Sequence, residues 1–217
     1  IKGYAGATVI TRTLLFIKHR MPRIWSGIEQ LNALLFGALH LRRMSIQVEQ
    51  VFAEFGLDGY EYRPLAAADL DALESLLQAQ GAERLRYFKP HGLDAASLAR
   101  TLRNPAFFMF GVFTRETLVG YFFLRCFWNR KCFVGRLIDQ HHEGRGIGRV
   151  MNQIMYHIAW RSGFRCLTTI SKSNAPIMRS HANNPHARVV ATLANDYLLV
   201  EFVPEESGVG RKALSRR

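Results

Sequence analysis

Apolar and polar positions recur along the chain with two different periods, and the changes of period mark the elements. In a first zone, residues 1–59, Ile24, Ile28, Leu31, Leu35 and Leu39 recur every three to four positions, the spacing of one helix face. The zone reads as two or three helices broken at Pro22. From residue 60 to 204 short apolar runs alternate with helical stripes. A short strand is expected at 60–63, a helix at 66–80 opened near Asp69 and Asp71, and a second helix at 94–102. The runs 107–113, 118–127 and 132–138 are rich in Phe, Val and Leu, and Thr114-Arg115-Glu116 joins the first two as a hairpin. The run 118–127 is apolar at consecutive positions, so it belongs in the middle of a sheet covered on both faces. A helix follows over 148–160, with Val150, Met151, Ile154, Met155 and Ile158 as its stripe. Then come a strand at 166–171 and a helix opening at Asn174 or Ala175, with Pro176 in its first turn. A strand pair, 189–193 and 197–203, turns at Asn195-Asp196. Residues 205–217 are polar and basic and read as a frayed tail.

Composition sets the class. The 217 residues are 48% hydrophobic and 21% charged, which suits one globular domain with an extension. A net charge of +12 points to a phosphate-bearing ligand, a nucleic acid or an anionic membrane surface. Arg12, Lys18, Arg20, Arg23, Arg42 and Arg43 flank the first-zone helices. A basic amphipathic helix can lie on an anionic membrane; the same stripe also suits a helical subdomain packed on the core, the more usual fate of an apolar face. No run reaches the ~18 apolar residues of a membrane span. The best, 31–41, is too short and contains Asn32 and His40. Cys126, Cys132 and Cys166 are odd in number and lack a CxxC spacing, which favours reduced thiols over a disulfide framework or zinc site. His141, His142 and His157 find no further ligand at a recognised spacing, so no metal is expected. The chain begins at Ile1 rather than Met, which leaves an upstream segment open.

The chemistry concentrates in Glu143-Gly144-Arg145-Gly146-Ile147-Gly148, between a strand and a helix and preceded by His141 and His142. Alternate glycines let the backbone turn tightly and come close to a ligand. Unpaired N–H groups and the helix dipole at the start of the next helix favour an anion there. A dinucleotide fold would need G-x-G-x-x-G with an acid roughly 20 residues on, and no Asp or Glu lies between Gly144 and Asn195. A nucleoside-triphosphate loop would need Gly-Lys-Ser/Thr. A plain flexible turn is the remaining alternative.

In context the segment resembles the central motif of the GNAT acyltransferases, Arg/Gln-x-x-Gly-x-Gly/Ala, with Glu143 where that motif has Arg or Gln. The resemblance spans residues 60–204. It implies a central mixed, mainly antiparallel sheet flanked by helices, an α/β (α+β) fold, carrying here a helical N-terminal extension. It implies acetyl-coenzyme A, or another acyl-coenzyme A, as co-substrate, with its pyrophosphate cradled by residues 143–148 and the backbone of Leu137, Ile138 and Asp139 lining a slot for the pantetheine arm. Asn174 matches the family's pantetheine-contacting Asn. His181 stands about seven residues later, where the family often has a Tyr that protonates the leaving thiolate; an imidazolium is chemically adequate for that task, and a surface histidine is the alternative. Asp139, His141, His142 and His91 are candidate bases. His91 lies in the loop where the family often binds its acceptor.

An amine attacking a thioester needs a neutral amine, donors for the oxyanion and a proton for the thiolate. From Gly144 to Asn195 every charged residue is basic: Arg145, Arg149, Arg161, Arg165, Lys172, Arg179 and Arg188. Such a field suits a coenzyme with three phosphates and an acidic acceptor, such as a nucleotide-linked amino sugar or a protein or peptide amine, and disfavours polyamines. A non-catalytic acyl-coenzyme A-binding module is the alternative in another class. A nucleic-acid binder fits the charge, but no such motif occurs, and Phe107, Phe108, Phe110, Tyr121, Phe122 and Phe123 belong to a core. The expected setting is cytoplasmic, peripheral at a membrane through residues 1–59, and a homodimer is compatible with it.

Overall fold

In the computed structural model, residues 22–88 and 90–205 are described, with only the backbone for 22–25. The basic segment containing Arg12, Lys18 and Arg20 and the tail from residue 206 lie outside the described residues.

Two helices open the described chain, α1 (Pro22–Leu39) and α2 (Leu41–Glu54). Pro22 starts α1, where its missing N–H costs no hydrogen bond. The remaining elements are β1 (Glu61–Pro64), α3 (Leu70–Ala79), α4 (Ala82–Leu85), α5 (Ala95–Leu102), β2 (Phe107–Thr114), β3 (Thr117–Cys126), β4 (Lys131–Ile138), α6 (Ile147–Arg161), β5 (Arg165–Ser171), α7 (Ala175–Ala182), β6 (Ala187–Thr192) and β7 (Tyr197–Phe202). Asp69 closes the turn before α3: its carboxylate accepts the Ala66 N–H at 2.7 Å and both terminal nitrogens of Arg63 at 2.8 Å. Asp94 caps α5 by accepting the Ser97 N–H.

The strands form one seven-stranded sheet in the order β1-β2-β3-β4-β5-β7-β6, antiparallel at every junction except β4–β5. Both expected hairpins are present. Arg115 and Glu116 have φ of 46° and 66°, and Asn195 and Asp196 both 58°, the left-handed conformations that a tight two-residue hairpin requires.

Strand β3 has buried side chains on both faces, as its unbroken apolar run predicts. Phe122 and Leu124 face α2 and α6, in a core with Phe36, Met44, Val51, Met151 and Ile154. Tyr121 and Phe123 face α3 and α5, in a second core with Leu73, Leu77 and Leu98. Helix α2 is therefore built into the main core. Arg161 on α6 fixes it further, holding Glu54 through two bonds of 2.6 and 2.7 Å.

Candidate active site

The glycine segment lies between the end of β4 and the start of α6. Gly144 and Gly146 have φ of +74° and +86°. An L side chain rarely adopts these angles, so the turn depends on glycine there. A Cβ built on Gly144 meets no described atom within 4 Å, so this side of the turn is open. Gly146 is the N-cap of α6, with no side chain bonded to the first N–H groups. Ile147 is buried and anchors the helix start in the core. Gly148 serves a different purpose: a Cβ there would lie 2.7 Å from Arg136 Nη1 and 3.1 Å from Ile138 Cδ1.

Strands β4 and β5 pair only at their beginnings, Lys131 with Arg165, Cys132 with Cys166 and Phe133 with Leu167. Both strands continue, β4 to Ile138 and β5 to Ser171, without pairing to each other. The parting opens beside the start of α6. Leu137 turns into the second core and Ile138 packs against the first, so their backbone, not their side chains, borders the gap.

Glu143, the residue that departs from the motif, is drawn aside. Arg84 Nη2 donates to Glu143 Oε1 at 2.6 Å and to the Ile138 carbonyl at 2.9 Å. Asp139 ends β4 and caps the next turn. Burial pushes its pKa up, but bonds from the His141 N–H, His142 and Gln80 outweigh that and hold it below the ordinary carboxylate range. It is a stable anion and a weak base. His141 is exposed, and its carbonyl accepts a bond from Arg145. His91 lies apart from this group, on the α3 and α5 face, with one ring nitrogen 2.7 Å from the Gly92 carbonyl and the other 2.7 Å from the Tyr121 hydroxyl. Both nitrogens are engaged, and burial lowers its pKa.

Asn174 is the N-cap of α7, its Oδ1 accepting the Ile177 N–H. About two turns on, His181 packs its ring 5.3 Å from that of Phe202. Its Nδ1 is buried without a partner among the described residues. Burial, and then the charge of Arg136, lower its pKa to about 4. At neutral pH it is an uncharged imidazole, so the imidazolium expected from sequence is not its resting form. It borders a mainly apolar cavity of about 480 Å³ formed with Met178, Ile170, Leu198 and Val200.

Sequence reasoning missed Arg136 and Arg84. Arg136 stands on the half of β4 that has parted from β5, opposite Phe122 of β3 and on the α6 face. Its Nε donates to Asn152 at 2.9 Å, and no carboxylate lies within ion-pair distance among the described residues. Burial lowers its pKa, opposed by Tyr156 and Glu143. A single charge within the apolar run 132–138 was the signal available. Arg84 sits on α4, a four-residue helix too short to leave a periodic stripe. The basic field is also thinner than the sequence implies, because Arg161 pairs with Glu54 and Arg165 with Glu201. Among the described residues, no group of three or more His, Cys, Asp or Glu could hold a metal ion.

No protein-family model matches the chain, and no curated protein matches it by sequence. Solved structures do match. The GNAT domain of S. lividans PAT superposes with a TM-score of 0.57 at 14% identity, over 65% of this chain and 88% of that one. The PaiA N-acetyltransferase from Thermoplasma acidophilum, in complex with coenzyme A, gives 0.54 at 16% identity over 66% and 98%. RimL, a ribosomal L7/L12 alpha-N-protein acetyltransferase, gives 0.54 at 17% identity over 67% and 88%. The order of the strands, the parting of β4 from β5 and these superpositions agree: the chain has the fold of the GNAT acetyltransferases.

Proposed function

We propose that the protein transfers an acyl group, acetyl in the simplest case, from acyl-coenzyme A to a primary amine by direct attack within a ternary complex. The observation that carries this reading is the early parting of β4 and β5 beside the open N-terminus of α6. The coenzyme would serve as acyl donor. Free N–H groups at residues 144–148 suit its pyrophosphate, and the gap suits an extended, uncharged arm whose amides need backbone partners. Arg84 keeps Glu143 from opposing the phosphates. Asn174, which opens α7 shortly after β5, would contact that arm.

Arg136, on the face of β4 that meets the start of α6, would supply fixed positive charge that stabilises a thiolate leaving group without itself giving up a proton. His181 enters as a neutral imidazole. His141, exposed just past the end of β4, would take a proton through water from an amine, while Asp139, a weak base, would hold the turn that carries it; an amino sugar, less basic than lysine, asks less of the base. Arg145, Arg149, Lys172 and Arg179, without a carboxylate partner among the described residues, favour an acidic acceptor, a nucleotide-linked amino sugar or an acidic peptide amine. Three buried free thiols suit a reducing, cytoplasmic setting.

The test is release of coenzyme A thiol from acetyl-coenzyme A across a panel of nucleotide-linked amino sugars, acidic and basic peptides, and polyamines. Turnover with acidic acceptors and none with polyamines is expected. Tight acetyl-coenzyme A binding without turnover on any amine would instead favour a non-catalytic binding module, for which the neutral His181 is the supporting observation.

A further inference from the structure

Helix α1 docks on the domain with its polar side. Among its described side chains Phe36 alone is fully buried, and the other described anchors are hydrogen-bonding groups. Glu29 takes a 2.7 Å bond from Arg125; Asn32 donates to the Cys126 carbonyl at 3.0 Å and accepts the Trp128 N–H at 3.1 Å. His40, just past its end, lies 2.9 Å from the Trp128 carbonyl. The apolar side faces out: Leu31 is 58% exposed, Leu34 72% and Leu39 60%. Trp128, 52% exposed, sits at the β3–β4 turn against the same helix. An ordinary surface helix buries its leucines and exposes its carboxylates and amides, so this orientation implies a partner for the leucines.

The charge around the patch identifies that partner. Arg42 lies in the first turn of α2, three residues past the end of α1, Arg130 belongs to the Trp128 turn and Lys131 opens β4. All three are exposed, with no carboxylate partner among the described residues. Glu29, the acid of α1 nearest this turn, is already taken by Arg125. Leucines and a tryptophan rimmed by cations match an anionic bilayer, whose headgroups attract the rim and whose interface accepts the apolar side chains. A second copy of this chain would bring the same cations against themselves under a net charge of +12.

We propose that the outward face of α1, with Trp128, Arg42, Arg130 and Lys131, docks the protein on an anionic membrane surface. Strand β4 leads away from this patch, from Lys131 to the glycine turn after Ile138, a distance of about 23 Å at strand rise. The glycine turn therefore lies at the opposite end of β4 from the Trp128 turn. The inference is independent of the acyltransferase reading, and either can fail alone.

The experiment is flotation of the full chain with vesicles of phosphatidylcholine alone, or with about 30% phosphatidylglycerol, at low and high salt. Circular dichroism confirms folding of each variant. Binding is expected only with the anionic lipid. The Leu31→Gln/Leu34→Gln variant should lose at least about tenfold in partitioning, and Arg130→Gln/Lys131→Gln about tenfold or more. Absence of binding by the folded parent would overturn the proposal. So would binding that the leucine variant leaves unchanged, which would be charge alone. A parent that sediments as a dimer without vesicles, and a leucine variant that sediments as a monomer, would assign the face to a second copy instead.

Discussion

Arg84 and Glu143 are joined beside the glycine turn proposed to hold the coenzyme by a 2.6 Å bond, and the same Arg84 nitrogen reaches the Ile138 carbonyl at 2.9 Å. The pair is largely exposed, so it adds little to stability. Its effect is local: it offsets a carboxylate beside the turn where phosphate is to bind. Arg84→Ala should weaken acetyl-coenzyme A binding about three- to tenfold. Glu143→Gln should bind at least as well as the parent, and the double variant should return close to parental affinity. Equal losses in both single variants, measured by calorimetry, would contradict this account.

Arg136 is assigned the electrostatic part of the chemistry. Arg136→Met keeps an unbranched apolar stem and removes the charged guanidinium. Turnover should fall about 10²-fold, with acetyl-coenzyme A affinity held within about threefold. The same change removes one of the two causes that depress His181, so the His181 pKa should rise from about 4, while burial keeps it below its ordinary 6.5. Titration of the imidazole by NMR reads this directly. An unmoved His181 together with unchanged turnover would place Arg136 outside the site.

His181 also makes stability depend on pH. Its folded pKa, about 4, lies below its ordinary 6.5, so the unfolded chain takes up the proton first. The stability at stake is fully present above pH 6.5 and is lost as pH falls toward 4. Burial depresses His91 and His157 too, so the parent must be compared with a variant. Relative to His181→Gln, the parent should lose about 1–3 kcal/mol of stability between pH 7 and pH 4. Urea midpoints across that range give the difference. Parallel curves for the two proteins would mean that His181 is freely protonated in the fold.

Much of this architecture was legible in the sequence because local patterns dictate it. Asn195-Asp196 and Thr114-Arg115-Glu116 mark hairpins that the backbone angles then show. The glycine spacing at 144–148 marks a turn that only glycine tolerates at two positions. The direction of a face is another matter. The repeat through Ile28, Leu31, Leu35 and Leu39 shows that these residues share a side of α1, but which side meets the domain depends on Asn32 and Glu29 finding partners some 95 residues away. Long-range pairing likewise hid the quenching of Arg161 and Arg165 by Glu54 and Glu201, which lie outside the all-basic stretch. The protonation state of His181 depends on burial and on Arg136, neither of which a position count can supply.

The most direct test of the coenzyme site is a calorimetric titration of the whole chain with acetyl-coenzyme A, in parallel with Gly146→Val. At φ +86° a valine is strained by roughly 1–2 kcal/mol and places a branched side chain at the start of α6, where the pyrophosphate is to sit. One binding site is expected in the parent, with a loss of at least about tenfold in the folded variant. No binding by the folded parent, or equal affinity in the two proteins, would contradict a coenzyme site at this turn.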